Sequence, residues 1–142
     1  MGDATPVIYS SRRNGPLAYA WKVIFNETAK IPAFSNVLPE LNHNEMTGFA
    51  SRGPTANDNF DFIFLKDELD DAKIIKRMDA LEKLYKEKNL SWQTINLNGA
   101  NIYQKIFFSF VLAHWAAYHK ALITDADPDD ISVVEKFKKI IV

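Results

Sequence analysis

Apolar residues fall into runs of two kinds along the chain. "VIYSS" (7–11) is short, β-branched and aromatic, and closes in the turn signal "RRNGP", which predicts a strand. After Pro16, which suits a first helical position, "LAYAWKVIFNETAK" repeats its apolar residues at three- and four-residue spacing. Leu17, Ala20, Trp21, Ile24 and Phe25 then form one buried stripe, and Asn26, Glu27, Thr28 and Lys30 form a polar end. "SRGPTANDN" (51–59) is a surface loop by composition. "FDFIFLKD" is the near-continuous apolar run of a strand covered on both faces. "DELDDAKIIKRMDALEKLYKEKN" is the clearest helix, with Ile74, Ile75, Met78, Leu81 and Leu84 on its apolar side. Glu68, Asp70 and Asp71 near its start suit the positive end of the helix dipole. "SWQTINLNG" predicts a third strand, and "NIYQKIFFSFVLAHWAAYHKALI" a long helix apolar enough to be largely buried. "DADPDD" caps a last helix, "ISVVEKFKKIIV".

Strand and helix in alternation predict an α/β fold, a three-layer α/β/α lobe with a small parallel sheet flanked by helices. Trp21, Phe25, Phe62, Phe64, Phe107, Phe110 and Trp115 are expected in or beside its core. Three strands are few for a parallel sheet, which needs both faces covered and tolerates bare edges poorly. The expectation is one domain over residues 1–142 that requires a partner, either a further lobe or a second subunit.

Charge and cysteine content narrow the function classes. Seventeen basic and eighteen acidic residues leave a net charge of -1, so nothing favours nucleic acid or an anionic membrane as partner. The chain has no cysteine, which removes disulfides, thiolate metal sites and cysteine nucleophiles. "MGDATPVIYSS" lacks the basic and apolar regions of a signal peptide, and the most apolar run, Ile106 to Tyr118, is too short to span a bilayer. A soluble cytoplasmic protein is expected.

No Gly-rich phosphate loop and no nucleophile elbow occur. His114 and His119 are five apart, which points them to different sides of a helix and argues against a shared metal. His114 reads as a hydrogen-bonded core or interface residue, and His119 as a helix-end residue near the negative pole of the dipole. Three polar groups keep unusual company: Glu27 in "FNETAK", His43 in "LNHNE" and Lys138 in "EKFKK". Taken singly they read as a solvated helix end, a turn residue and a surface lysine.

Together they carry a resemblance. "FNETAKIPAF" followed by "LPELNHNEMTG", with "PVIYSS" before and "IYQKIFFSFVLAHWAAYHKAL" and "DADPDDISVVEKFKK" after, resembles the C-terminal half of the bifunctional phosphoglucose/phosphomannose isomerases. That half is a sugar-isomerase (SIS) domain. The resemblance implies interconversion of glucose 6-phosphate or mannose 6-phosphate with fructose 6-phosphate through a cis-enediolate, without metal or cofactor. It assigns Glu27 as the base moving a proton between C1 and C2. His43 assists ring opening in the neighbouring subunit's site, and Lys138 lies near the ring oxygen. A homodimer is implied.

These residue types suit those tasks. A base for a weak carbon acid must be close and desolvated, with its pKa tuned upward from about 4.3. Histidine, with a reference pKa of about 6.5, donates or accepts near neutrality. A lysine ammonium stabilises charge developing on oxygen. Asn42, Asn44 and Glu45 are candidates to orient the imidazole from behind, or to cap a helix, or both. One departure matters: the family's N-terminal half, with its Ser/Thr-rich phosphate loop, is missing from this chain. Weak or absent activity of the isolated chain is therefore expected. The alternatives are a non-catalytic sugar-phosphate-binding or dimerisation SIS module, and an unrelated doubly wound domain.

Overall fold

A computed structural model describes residues 4–50 and 59–141. The proposed 51–59 loop therefore lies outside the described residues, apart from Asn59. Strand β1 (Thr5–Ser11) leads into helix α1 (Gly15–Thr28), strand β2 (Phe34–Leu38), a 3₁₀ turn (Glu40–Asn42) and helix α2 (Glu45–Ala50). Strand β3 (Phe60–Lys66), helix α3 (Ala72–Glu87), strand β4 (Ser91–Asn96), helix α4 (Ile102–Ile123) and helix α5 (Ser132–Ile140) follow.

The strands form one four-stranded sheet in the order β2-β1-β3-β4, every pair parallel. The expectation of three strands is corrected: β2 is a fourth. Its sequence, Phe-Ser-Asn-Val-Leu, holds two polar residues, and its place on the sheet edge leaves Phe34 exposed. An edge strand lacks the continuous apolar signal by which β1 and β3 are recognised.

Two cores follow from the period-2 geometry of the central strands. Ile8, Ile63 and Leu65 face Leu17, Ala18, Trp21 and Phe25 of α1 and Ala113 and Ala117 of α4. Val7, Tyr9, Phe62 and Phe64 face the other way, onto Met78, Leu81 and Tyr85 of α3 and the Leu38–Leu41 turn. This second core is aromatic: the rings of Phe62 and Tyr85 lie 4.6 Å apart and those of Tyr9 and Phe64 5.5 Å apart. Burial raises the pKa of the Tyr85 hydroxyl to about 12, and that of Tyr9 is also raised, first by burial and then by Tyr85 and Glu45. The result is a three-layer α/β/α lobe.

Two helices depart from expectation. The acidic stretch before α3 is a turn rather than helix: Asp71 is the N-cap, accepting from the Lys73 N–H at 2.7 Å, while Asp70 is buried and turned towards β1. Helix α4 is not largely buried. Phe107 is 65% and Trp115 58% exposed, so neither belongs to the core, and Phe110 is only partly covered. Small residues, Ser109, Ala113 and Ala117, let α4 approach α1, and the Trp21 indole N–H donates to the Ser109 hydroxyl at 2.8 Å. Its large residues point outward instead. Helix α4 also extends beyond the Ile106–Tyr118 run to 22 residues, enough by length and composition to cross a membrane. Its inner side, however, carries the buried Lys105 and Lys120 and packs on α1.

Candidate active site

Open parallel sheets usually bind ligands at the carboxyl edge, where the strand order reverses. In this lobe that crevice lies between β1 and β3, and the chain's own side chains fill it. Ser11 donates to Asp70 at 2.6 Å, Asn14 Nδ2 donates to Asp70 at 3.1 Å, and Lys105 Nζ lies 2.7 Å from Asp67. Arg13 adds an ion pair to Asp67 at 3.6 Å and donates to the Leu69 carbonyl at 2.8 Å. Burial raises the pKa of the Asp67 carboxyl. The Lys105 ammonium, the Leu69 N–H and the Arg13 charge outweigh it and hold the group below the usual carboxylate range. The Lys105 pKa is raised in turn, first by its hydrogen bond to Asp67.

The open groove lies at the opposite, amino edge. Helix α1 leaves the carboxyl end of β1 and must return to the amino edge, because β2 runs parallel to β1. Its last turn therefore delivers Glu27 there. Asn26 Nδ2 donates to the Ile31 carbonyl at 2.9 Å, Ala29 N–H returns to Phe25 O, and Lys30 takes a left-handed φ of 57°. These three features end the helix and leave Glu27 exposed on the rim. Helix α4 runs back to the same edge, and residues 128–134 after it face the end of α1. Glu27, Lys30, Pro32, Asp130, Ile131 and Val134 are among the lining residues of a groove of ≈ 830 Å³. Lys30 Nζ crosses it to donate to the Asp130 carbonyl.

Of the residues singled out in the sequence, Glu27 lines this groove, and Lys138 lies on α5, which leaves it. The Lys138 ammonium is exposed and pairs with Glu135 at 2.7 Å. His43 is elsewhere. It is exposed, closing the 3₁₀ turn after β2 with its N–H on the Glu40 carbonyl at 3.0 Å. That places it at the carboxyl edge, so the length of β2, roughly 17 Å at 3.3 Å per residue, separates it from Glu27 in the same chain.

The residues beside His43 form their own bonds. Asn44 donates to Glu40 at 3.2 Å and accepts from the Glu45 N–H at 2.6 Å, and its carbonyl accepts from the Gly48 N–H at 3.3 Å at the start of α2. Glu45 accepts from Asn36 of β2, and the Asn42 Oδ1 is buried without a partner. His114 bonds the Phe110 carbonyl at 3.0 Å, and the His119 ring stacks on Trp115 at 5.6 Å. Among the described residues no group of three or more His, Asp or Glu is placed to hold a metal. Sequence reasoning missed Lys30 and Asp130. Lys30 was visible only as one polar residue of a helix end, and its partner is a main-chain carbonyl, which leaves no mark in a sequence.

The parallel sheet with helices on both faces defines an SIS-type α/β lobe. The chain belongs to the family described as the bacterial phospho-glucose isomerase C-terminal SIS domain, which it matches over residues 1–141. It is 35% identical over 138 residues to a bifunctional phosphoglucose/phosphomannose isomerase of Thermoplasma volcanium, covering 97% of this chain and 43% of that protein. The Thermoplasma acidophilum protein of the same name is 36% identical over 138 residues, with 97% and 42% covered. The chain thus spans less than half the length of these relatives. Its fold matches that of a glucose-6-phosphate isomerase like protein from Thermus thermophilus with a TM-score of 0.72 and 17% identity, over 98% of this chain and 44% of that one.

Proposed function

We propose that this chain is the C-terminal lobe of an aldose-ketose isomerase acting on hexose 6-phosphates, glucose or mannose 6-phosphate against fructose 6-phosphate. One observation carries the reading: Glu27 sits on the rim of an open groove whose opposite wall leads directly into the helix bearing Lys138. A carboxylate placed there takes the C2 proton of the open-chain aldose and returns it to C1, with a cis-enediolate between. The Lys138 ammonium, on the helix that continues from the groove wall, stabilises charge developing on oxygen. His43, at the far edge of its own chain, serves the groove of a second copy as proton donor or acceptor in ring opening. The names of the relatives support the substrate class.

The phosphate grip belongs to the N-terminal lobe that the relatives' length implies. Binding energy at the phosphate positions the reacting carbons, so the lobe alone turns substrate over slowly or not at all. The test is exchange of the C2 hydrogen of glucose 6-phosphate with solvent deuterium, catalysed by the full-length protein from its natural reading frame. Glu27→Gln should slow exchange by about 10²–10⁴-fold without preventing sugar-phosphate binding. Binding with no exchange in the parent protein would show a non-catalytic module instead.

A further inference from the structure

Three helices of this lobe end on a residue in the left-handed region: Lys30 after α1 (φ 57°), Asn89 after α3 (φ 54°) and Asp125 after α4 (φ 55°). Asn and Asp are the side chains that tolerate this conformation, and glycine relieves it altogether. Lysine does neither. A long side chain held at a strained turn points to a use for that side chain.

The use is visible. Lys30 Nζ reaches the main-chain carbonyl of Asp130, a hundred positions along the chain. Asp130 is also the anchor of α5: its carboxylate accepts from the Ser132 N–H at 2.8 Å and the Ser132 hydroxyl at 3.1 Å. Lys30 therefore ties the exit of α1, three residues after Glu27, to the root of the helix that carries Lys138. Helix α5 has no buried residue of its own, so apolar packing does little to fix where it stands.

We infer that Lys30 is a positioning residue, whose bond to the Asp130 carbonyl holds the root of α5, and with it Lys138, in register with Glu27. The inference rests on the isomerase reading. It requires no contact between Lys30 and substrate.

Lys30→Met and Lys30→Gly both remove the donor, but glycine also relaxes the turn. Lys30→Arg keeps a cationic donor of similar reach. In the full-length protein, kcat for fructose 6-phosphate should fall about 10-fold or more in the Met and Gly variants, with KM within about twofold. The melting temperature of Lys30→Gly should not fall, so activity is lost without stability, a split that a purely structural role does not produce. Lys30→Arg should restore kcat to within about threefold. A Lys30→Gly protein with parental kcat would overturn the inference, as would equal impairment of the Met and Arg variants. Glu27→Gln assayed in parallel separates the two ideas. If Glu27→Gln is dead and the Lys30 variants are unaffected, only the positioning role fails. If the parent is inactive, or Glu27→Gln retains full activity, the isomerase reading fails and this inference with it.

Discussion

The Lys105 ammonium, at the end of the first turn of α4, lies 2.7 Å from Asp67 at the carboxyl end of β3, with both side chains buried. The pair seals the crevice in which an open parallel sheet would ordinarily bind its ligand, and it joins α4 to the sheet. Removing one partner of a buried pair strands the other charge in a poor solvent. Lys105→Met should therefore lower the urea midpoint clearly, and Asp67→Asn with Lys105→Met should recover part of the loss. An unchanged midpoint in the single variant would show that the pair contributes nothing.

The same pair sets a pH dependence. The folded pKa of Asp67 is lowered, so its stabilisation is fully present above the unfolded value of about 3.9 and is lost as pH falls through the folded one. That of Lys105 is raised, so its contribution is fully present below the unfolded value and fades as pH rises through the folded one. Stability followed by urea titration should stay level in this respect through neutrality and drop at acid pH. Lys105→Met should flatten the acid drop. An identical acid profile in the variant would assign the drop to other carboxylates.

Trp21 and Ser109 form the polar tie between α1 and α4, at 2.8 Å and buried. Ser109→Ala leaves the indole N–H without an acceptor and should cost about 1–3 kcal/mol in chemical denaturation. A change within about 0.5 kcal/mol would mean that water reaches the indole or that the helices shift to re-pair it.

The outward side of α4 carries Phe107, Phe108, Val111, Leu112, Trp115 and Leu122, all exposed in the single chain. An exposed apolar surface of this extent belongs in an interior, so the proposal includes a covering lobe or subunit. Phe107→Gln combined with Trp115→Gln should change the fold stability of the isolated lobe by about 0.5 kcal/mol per site or less. It should also abolish self-association, or association with the N-terminal lobe, measured by light scattering. Assembly that survives both substitutions would place the interface elsewhere.

The sequence announces what local physics decides. The apolar runs of β1 and β3 and the Trp21–Phe25 stripe of α1 are legible because burial on both faces of a sheet writes itself as composition. Edge strand β2 is not, because half of its surface is open and Ser35 and Asn36 are allowed there. Helix α4 misleads for the opposite reason: its apolarity is real, but much of it faces away from the core of this chain. Asp70 looks like a helix-dipole residue in the sequence, yet it bonds Ser11 and Asn14 across the sheet edge. Glu27 and His43 stand out as candidates from their motifs alone. Their separation by the length of β2 depends on parallel pairing, and the Lys30 bond depends on a carbonyl brought back by α4.

That separation leads to the most direct test of the whole account. If each groove takes Glu27 from one copy and His43 from another, Glu27→Gln and His43→Ala proteins are each inactive alone but complement one another. Mixed after unfolding and refolded together in equal amounts, they should form heterodimers with one intact site and one doubly defective site. Random pairing predicts about a quarter of the parental kcat for isomerisation. Activity no greater than that of the separate variants would contradict a site shared between subunits.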